Sequence, residues 1–137
     1  MNLYPGRVSE LDVLVDEWLP LPDVAERLGT DVGRVRRLVQ EKTLIAVRRG
    51  EPRVWSVPAG FLMPAAGGGW QVVPALPGTL SVLADSGFAD EESIAWLFTH
   101  DASLAGLGTG TPPRTPMEAL AAGHKTEIRR RAMALAF

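Results

Sequence analysis

The 137-residue chain, 46% hydrophobic and 22% charged, has the composition of a folded globular protein, long enough for one ordinary domain or two small modules sharing a core. It holds no cysteine, and its histidines are His100 and His124, which excludes disulfides, thiolate metal sites and a cysteine nucleophile and gives no expectation of a metal or other cofactor. The net charge is −2, but residues 27–53 carry eight bases against three acids, a local balance of +5, while residues 1–26 hold six acids against one base; such a patch acts on a polyanion at close range whatever charge lies on the far side.

The N-terminus MNLYPGRVSELD lacks the basic and apolar regions of a signal peptide, and no run of about 18 apolar residues occurs, so a cytoplasmic protein without membrane contact is expected. Residues 8–18, VSELDVLVDEW, place Val8, Leu11, Leu14, Val15 and Trp18 on one helical stripe behind Ser9 as N-cap. LPLPDVAERLG predicts a helix over 22–28: Pro22 suits the first turn, Asp23 and Glu26 suit its N-terminal dipole, and Gly29 suits the position past its end. After the short break GTD, a helix is expected over 32–41. Two short helices joined by a Gly-containing turn of three or four residues form the helix-turn-helix pattern. LIAVRRGEPRVWSVP then reads as two strands, 44–49 and 53–57, either side of the turn residues GEP, and so as a hairpin or wing. Phe61–Met63 and Val72–Val73 add short extended pieces around the loop PAAGGGW.

From residue 76 the pattern is helical. LPGTLSVLADSG puts Leu76, Leu80, Leu83 and Ala84 on one face and stops at Gly87. DEESIAWLF opens with acids suited to a helix start and gathers Ile94, Leu97 and Phe98, with Trp96 at their edge. Beyond a Gly/Thr/Pro loop, TPMEALAAG offers a capping box of Thr115, Pro116 at N1 and Glu118 at N3. HKTEIRRRAMALAF gives a last helix with Ile128, Ala132 or Met133, and Leu135 inward.

The chemistry concentrates in GTDVGRVRRLVQEK, residues 29–42. At about 100° per residue, Val32 and Leu38 fall about 60° either side of Val35, and Val39 about 40° from it, so four apolar residues share a face. The same period drives Arg34 and Arg37 to the opposite side, with Gly33 between them and Arg36 on the flank. A guanidinium can grip a phosphate or a guanine edge with two parallel hydrogen bonds, as major-groove recognition requires. Thr30 and Gly33 would assist by close backbone approach, and the helix N-terminus would favour a phosphate. Arg48, Arg49 and Arg53 lie at the hairpin tip, where a wing reaches neighbouring backbone or minor groove. A solvated basic face is the bland reading of any one arginine. Helix, turn, helix and basic hairpin in direct succession favour nucleic acid.

LPDVAERLGTDVGRVRRLVQEKTLIAVRRGEPRVWSVPAGFL resembles the helix-turn-helix of the MerR and excisionase type: VAERLG matches the positioning helix, DVGRVRRLVQEKTLIAVRR the recognition helix with its exit strand, and RVWSVP the returning wing strand. With ALPGTLSVLADSGFADEESIAWLFTHDASL and RTPMEALAAGHKTEIRRRAMALAF, the pattern is similar to the actinobacterial winged helix-turn-helix DNA-binding proteins of the mycobacterial PknL-substrate type. That resemblance implies a DNA-binding N-terminal module, a helical C-terminal module and a Ser/Thr protein kinase as a further partner. Only a short segment precedes the first helix, so a phosphoacceptor in a long N-terminal tail does not carry over. AWLFTHDASLAGLGTGTPPRTPMEALAAG resembles the toxin-binding domain of certain antitoxins, which implies that this half binds a protein.

Other features of this half favour structural roles. Trp96, Phe98 and Phe137 are aromatics at helical spacing, more often core than interface anchors. His100 beside Asp101 lacks a nucleophile or metal cluster and reads as a capping or surface group. GLGTG, residues 106–110, has no strand before it and no Lys-Ser/Thr pair, so it is not a nucleotide loop. Arg129, Arg130 and Arg131 read as a dipole-complementing cluster facing the acids around Glu91 rather than as phosphate contacts.

The expected fold is therefore mainly α with a small β-wing: a winged helix-turn-helix over residues 1–64 and a helical module over 71–137 packed on it, with the composition changing near Ala65–Trp70. The expected function is non-enzymatic binding of double-stranded DNA, as a transcriptional regulator or nucleoid-associated factor. Thr30, Gly33, Arg34, Arg36, Arg37, Arg48, Arg49 and Arg53 are the expected contacts. The alternative is an antitoxin-like or adaptor module acting through the C-terminal helices, which an exposed apolar patch around Trp96 and Leu104 would favour.

Overall fold

In the computed structural model, which describes residues 11–136, the chain opens with a helical segment, α1, whose described part is residues 11–14. There follow β1 (Trp18–Pro20), α2 (Leu21–Leu28), α3 (Val32–Gln40), β2 (Val47–Arg49) and β3 (Val54–Pro58), then a 3₁₀ turn at Ala59–Phe61 and the short hairpin β4 (Leu62–Pro64) and β5 (Trp70–Val72). The rest is helical: α4 (Leu76–Asp85), α5 (Asp90–Phe98), a 3₁₀ turn at Ala102–Gly106, α6 (Pro116–Ala121) and α7 (Lys125–Met133). The larger sheet has order β1-β3-β2 and is antiparallel throughout.

The first amphipathic stripe does not continue as helix to Trp18. Leu11 and Val15 are buried as expected, but Trp18 begins β1, pairing opposite Pro58, with Leu19 opposite Val57. Leu19 precedes Pro20, which pushes it out of the helical region, and pairing covers an edge of β3 that would otherwise be bare. Val8 and Ser9 lie outside the described residues. The first wing strand is shorter than expected, since Leu44, Ile45 and Ala46 are buried ahead of β2 rather than part of it, while the second keeps its length one residue further along.

Local chemistry ends the helices as read. After α2, Gly29 sits at φ 70°, its N–H donates to the Glu26 carbonyl (3.2 Å) and the Thr30 N–H to the Ala25 carbonyl (2.9 Å), the Schellman pattern. The end of α3 repeats that pattern with a residue that pays for it: Lys42 adopts φ 63°, with its N–H on the Val39 carbonyl (3.1 Å) and the Thr43 N–H on the Leu38 carbonyl (2.9 Å). Thr115 caps α6 by accepting from the Glu118 N–H (3.1 Å), while the Glu118 carboxylate reaches the Arg114 N–H (2.8 Å), one residue beyond the expected box.

One core runs through both halves. Val24, Val35, Leu44, Val57 and Phe61 are fully buried in the same cluster as Leu76, Leu83, Ile94, Leu97, Leu104 and Ile128. Phe61 meets Phe98 at a centroid distance of 5.9 Å, and Gly60 leaves room for that ring, since a Cβ there would lie 3.0 Å from it. One inward expectation changes, since Ala84 is exposed, with Thr79 buried instead; of the two alternatives on α7, Ala132 is the buried one and Met133 is 59% exposed.

Candidate nucleic-acid interface

α3 is held by the face its sequence dictates. Val35 is fully buried, Val32, Leu38 and Val39 are half-buried, and Gly33, Arg34, Arg36 and Arg37 are exposed. Asp31 caps the helix, its Oδ1 accepting from the Arg34 N–H at 2.8 Å. This carboxylate occupies the N-terminus that would otherwise favour a phosphate, which leaves the guanidiniums as the groups of α3 suited to an anion. The Thr30 N–H is spent in the α2 cap, which leaves its hydroxyl to the solvent side. Gly33 has no left-handed φ; a Cβ there would lie 3.2 Å from Asp31 Oδ1, so its smallness protects the cap.

The wing separates two adjacent arginines. Successive strand residues point to opposite faces, and the register sets Arg48 opposite Trp55 and Arg49 opposite Val54. Arg48 and Arg53 are exposed. Arg49 is 9% exposed: it forms an ion pair with Asp12 of α1 and stacks over the Trp18 ring at 5.1 Å. Its pKa is lowered, first by burial and then by Arg53, with Glu91 acting in the opposite direction. Its place is therefore inside the fold, and of the six arginines expected as contacts Arg34, Arg36, Arg37, Arg48 and Arg53 face solvent. Trp55 was not singled out from the sequence. It is 51% exposed and carries the Arg48 guanidinium over its ring at 5.2 Å. The signal was present in the alternation of RVWSV but needed the hairpin register to be seen.

In the helical half the cations are largely neutralised. Arg130 pairs with Glu127 (2.6 Å), and Arg131 pairs with Glu127 (2.7 Å) and Asp101 (3.2 Å), so the acids they meet are these and not those around Glu91. Arg129 lies against Gly78 of α4, where a Cβ would stand 2.7 Å from its Nη2. Asp101 accepts from the Ser103 hydroxyl (2.6 Å) and N–H (3.0 Å). These bonds, with Arg131, hold its carboxyl below the usual range. Glu127 is likewise lowered by its bonds from Arg131 and Arg130. His100 is exposed, and no cluster of potential metal ligands occurs among the described residues. Leu104 is fully buried and Trp96 packs half-buried against the core, so the apolar patch that would favour an adaptor is not formed there. A groove of about 690 Å³ between the halves is walled by Val13, Trp70, Phe98 and Met117. At its rim Arg27 stacks over Trp70 at 4.9 Å and pairs with Glu17 at 3.3 Å, while Arg114 pairs with Glu118 at 3.3 Å.

Comparison with known proteins matches both halves. Residues 9–62 match the family described as "DNA-binding protein Rv2175c, wHTH domain", and residues 73–136 match "Rv2175c C-terminal domain of unknown function". The DNA-binding protein Rv2175c of Mycobacterium tuberculosis is 40% identical over 121 residues, covering 85% of this chain and 79% of that protein. The NMR structure of Rv2175c superposes with a TM-score of 0.71 at 38% identity, covering 88% of this chain and 82% of that one.

Proposed function

The chain belongs to the Rv2175c family of winged helix-turn-helix proteins, and from that membership we propose that it binds double-stranded DNA, with α3 in the major groove and the β2–β3 wing on the neighbouring backbone. The observation that carries this reading is the exposure of Arg34, Arg36 and Arg37 on α3 and of Arg48 and Arg53 on the hairpin that follows it, two elements anchored by the buried Val35, Val47 and Val57. Arg34 and Arg37 are assigned to phosphates and guanine edges lining the groove, Arg36 to the phosphates on its flank, and Arg48 and Arg53 to phosphates beside it, with Thr30 and Gly33 lining the approach. The role is regulatory or architectural rather than enzymatic, in the cytoplasm where chromosomal DNA lies. No helix among the described residues is long and apolar enough to cross a membrane. Residues 1–64 act as the DNA-binding unit in this reading, and 71–137 as a helical unit that braces it and offers the surface for a protein partner such as a Ser/Thr kinase.

Fluorescence anisotropy of a mixed-sequence duplex at several salt concentrations tests it. Five phosphate-neutralising cations give a slope of about −4 to −5 in log affinity against log salt. In the Arg34→Ala, Arg37→Ala double variant the slope should shrink by up to about 2 and affinity should fall steeply. Absence of binding at low salt, or binding indifferent to the double variant, would overturn the assignment.

A further inference from the structure

We propose that the wing reads the duplex with an apolar contact as well as with charge: Trp55, steered by Arg48, packs its indole against deoxyribose and base edges of the minor groove beside the segment held by α3. This rests on the DNA-binding reading above. Arg48 and Trp55 stand opposite each other on one face of the hairpin, the face that carries Leu19 and Val57 into the core further along. At the tip that face has run out of protein to cover it, and Trp55 is left 51% exposed, with Val54 on the reverse face 42% exposed.

Two half-exposed tryptophans carry a stacked arginine, and they differ in charge. Arg27 over Trp70 is neutralised by Glu17 at 3.3 Å, whereas Arg48 over Trp55 has no carboxylate partner among the described residues. The Trp55 indole is thus an exposed apolar plate that carries an un-neutralised cation on its ring. A purely phosphate-binding wing would need the cations and would use the plate only to hold Arg48. A groove wall, where phosphates alternate with sugar and base edges, uses both. Cation–π stacking also restricts Arg48, so less side-chain freedom is lost when it meets a phosphate.

The test separates the apolar from the ionic contribution by salt dependence, since counterion release counts phosphate contacts and not apolar ones. In anisotropy titrations of the full chain with a mixed-sequence duplex, Trp55→Ala should weaken binding about tenfold with the salt slope unchanged, and Trp55→Phe should keep most of the affinity. Arg48→Ala should reduce the slope by about 1. Circular dichroism and thermal melting of each variant check that the fold is kept. Wild-type protein that binds DNA while Trp55→Ala binds equally well would overturn this proposal and leave the DNA-binding reading standing. A Trp55→Ala variant that turns a dimer into a monomer in sedimentation, and loses affinity for that reason, would overturn it in favour of a second copy of the chain as occupant. Wild-type protein that does not bind duplex DNA would remove both readings.

Discussion

Arg48 and Arg49 are neighbours of the same type with opposite work. Arg48 stands in solvent over Trp55, and Arg49 is folded inward between Asp12 and the Trp18 ring. Arg49→Ala is expected to lower stability by about 1–2 kcal/mol, through lost packing of its stem and an unpaired Asp12, while leaving the salt slope of DNA binding unchanged. Urea unfolding and anisotropy measured on the same protein check it, and an altered slope with unaltered stability would place Arg49 on the DNA side instead. In the sequence both belong to the string VRRG and look alike, because which of two adjacent strand residues faces out depends on register. Lys42 presents the converse case. Its left-handed backbone at φ 63° is a position that favours glycine, so Lys42→Gly should raise the urea midpoint by the equivalent of about 0.5 kcal/mol, the relief of strain slightly exceeding the added entropy of the unfolded chain.

Helix starts and stops were legible because their causes lie within a turn of the chain. Thr115, Gly29 and Gly87 act where expected, and Asp31, which lies in the expected break GTD, is the cap of α3, so that Asp31→Ala should cost about 1 kcal/mol by leaving the Arg34 N–H without its cap. Two glycines with ordinary φ separate packing from propensity. Gly78 lies inside α4, where its added Cβ would meet the mobile end of Arg129, so Gly78→Ala should stabilise by up to about 1 kcal/mol as the guanidinium swings aside. At Gly60 the same change meets the Phe98 ring at 3.0 Å, a ring already held against Phe61, and should destabilise. Thermal melts of the two variants moving in the same direction would contradict this contrast. β1 was not legible, since its partner β3 lies far along the chain and its own residues also fit a helical stripe.

For the molecule as a whole, acidic side chains link the helical half. Asp101 ties the second 3₁₀ turn to α7 through Ser103 and Arg131, Glu127 binds Arg131 and Arg130, and Glu118 joins α6 to Arg114. All three carboxyls have lowered pKa values; for Glu118 burial pulls upward but the bonds from Arg114 prevail. A lowered folded-state pKa means that the unfolded chain takes up protons first as the pH falls. The stabilisation is therefore present above the ordinary carboxylate range, about 4, and is lost as the pH drops through the lower folded-state values. The urea midpoint should be flat between about pH 7 and pH 5 and fall below about pH 4, and Asp101→Asn should shrink that fall; an unchanged acid limb in the variant would remove Asp101 from the account. The sequence by itself determined the helix-turn-helix, the outward turn of Arg34, Arg36 and Arg37, the hairpin after them and the caps, because each follows from a period or a residue type acting over a few positions. The tertiary structure alone decided that Trp18 is a strand residue, that Arg49 is buried while Arg48 and Trp55 are not, and that Arg131 answers Asp101. Those outcomes depend on pairing register and on contacts between distant segments, and no local period encodes either.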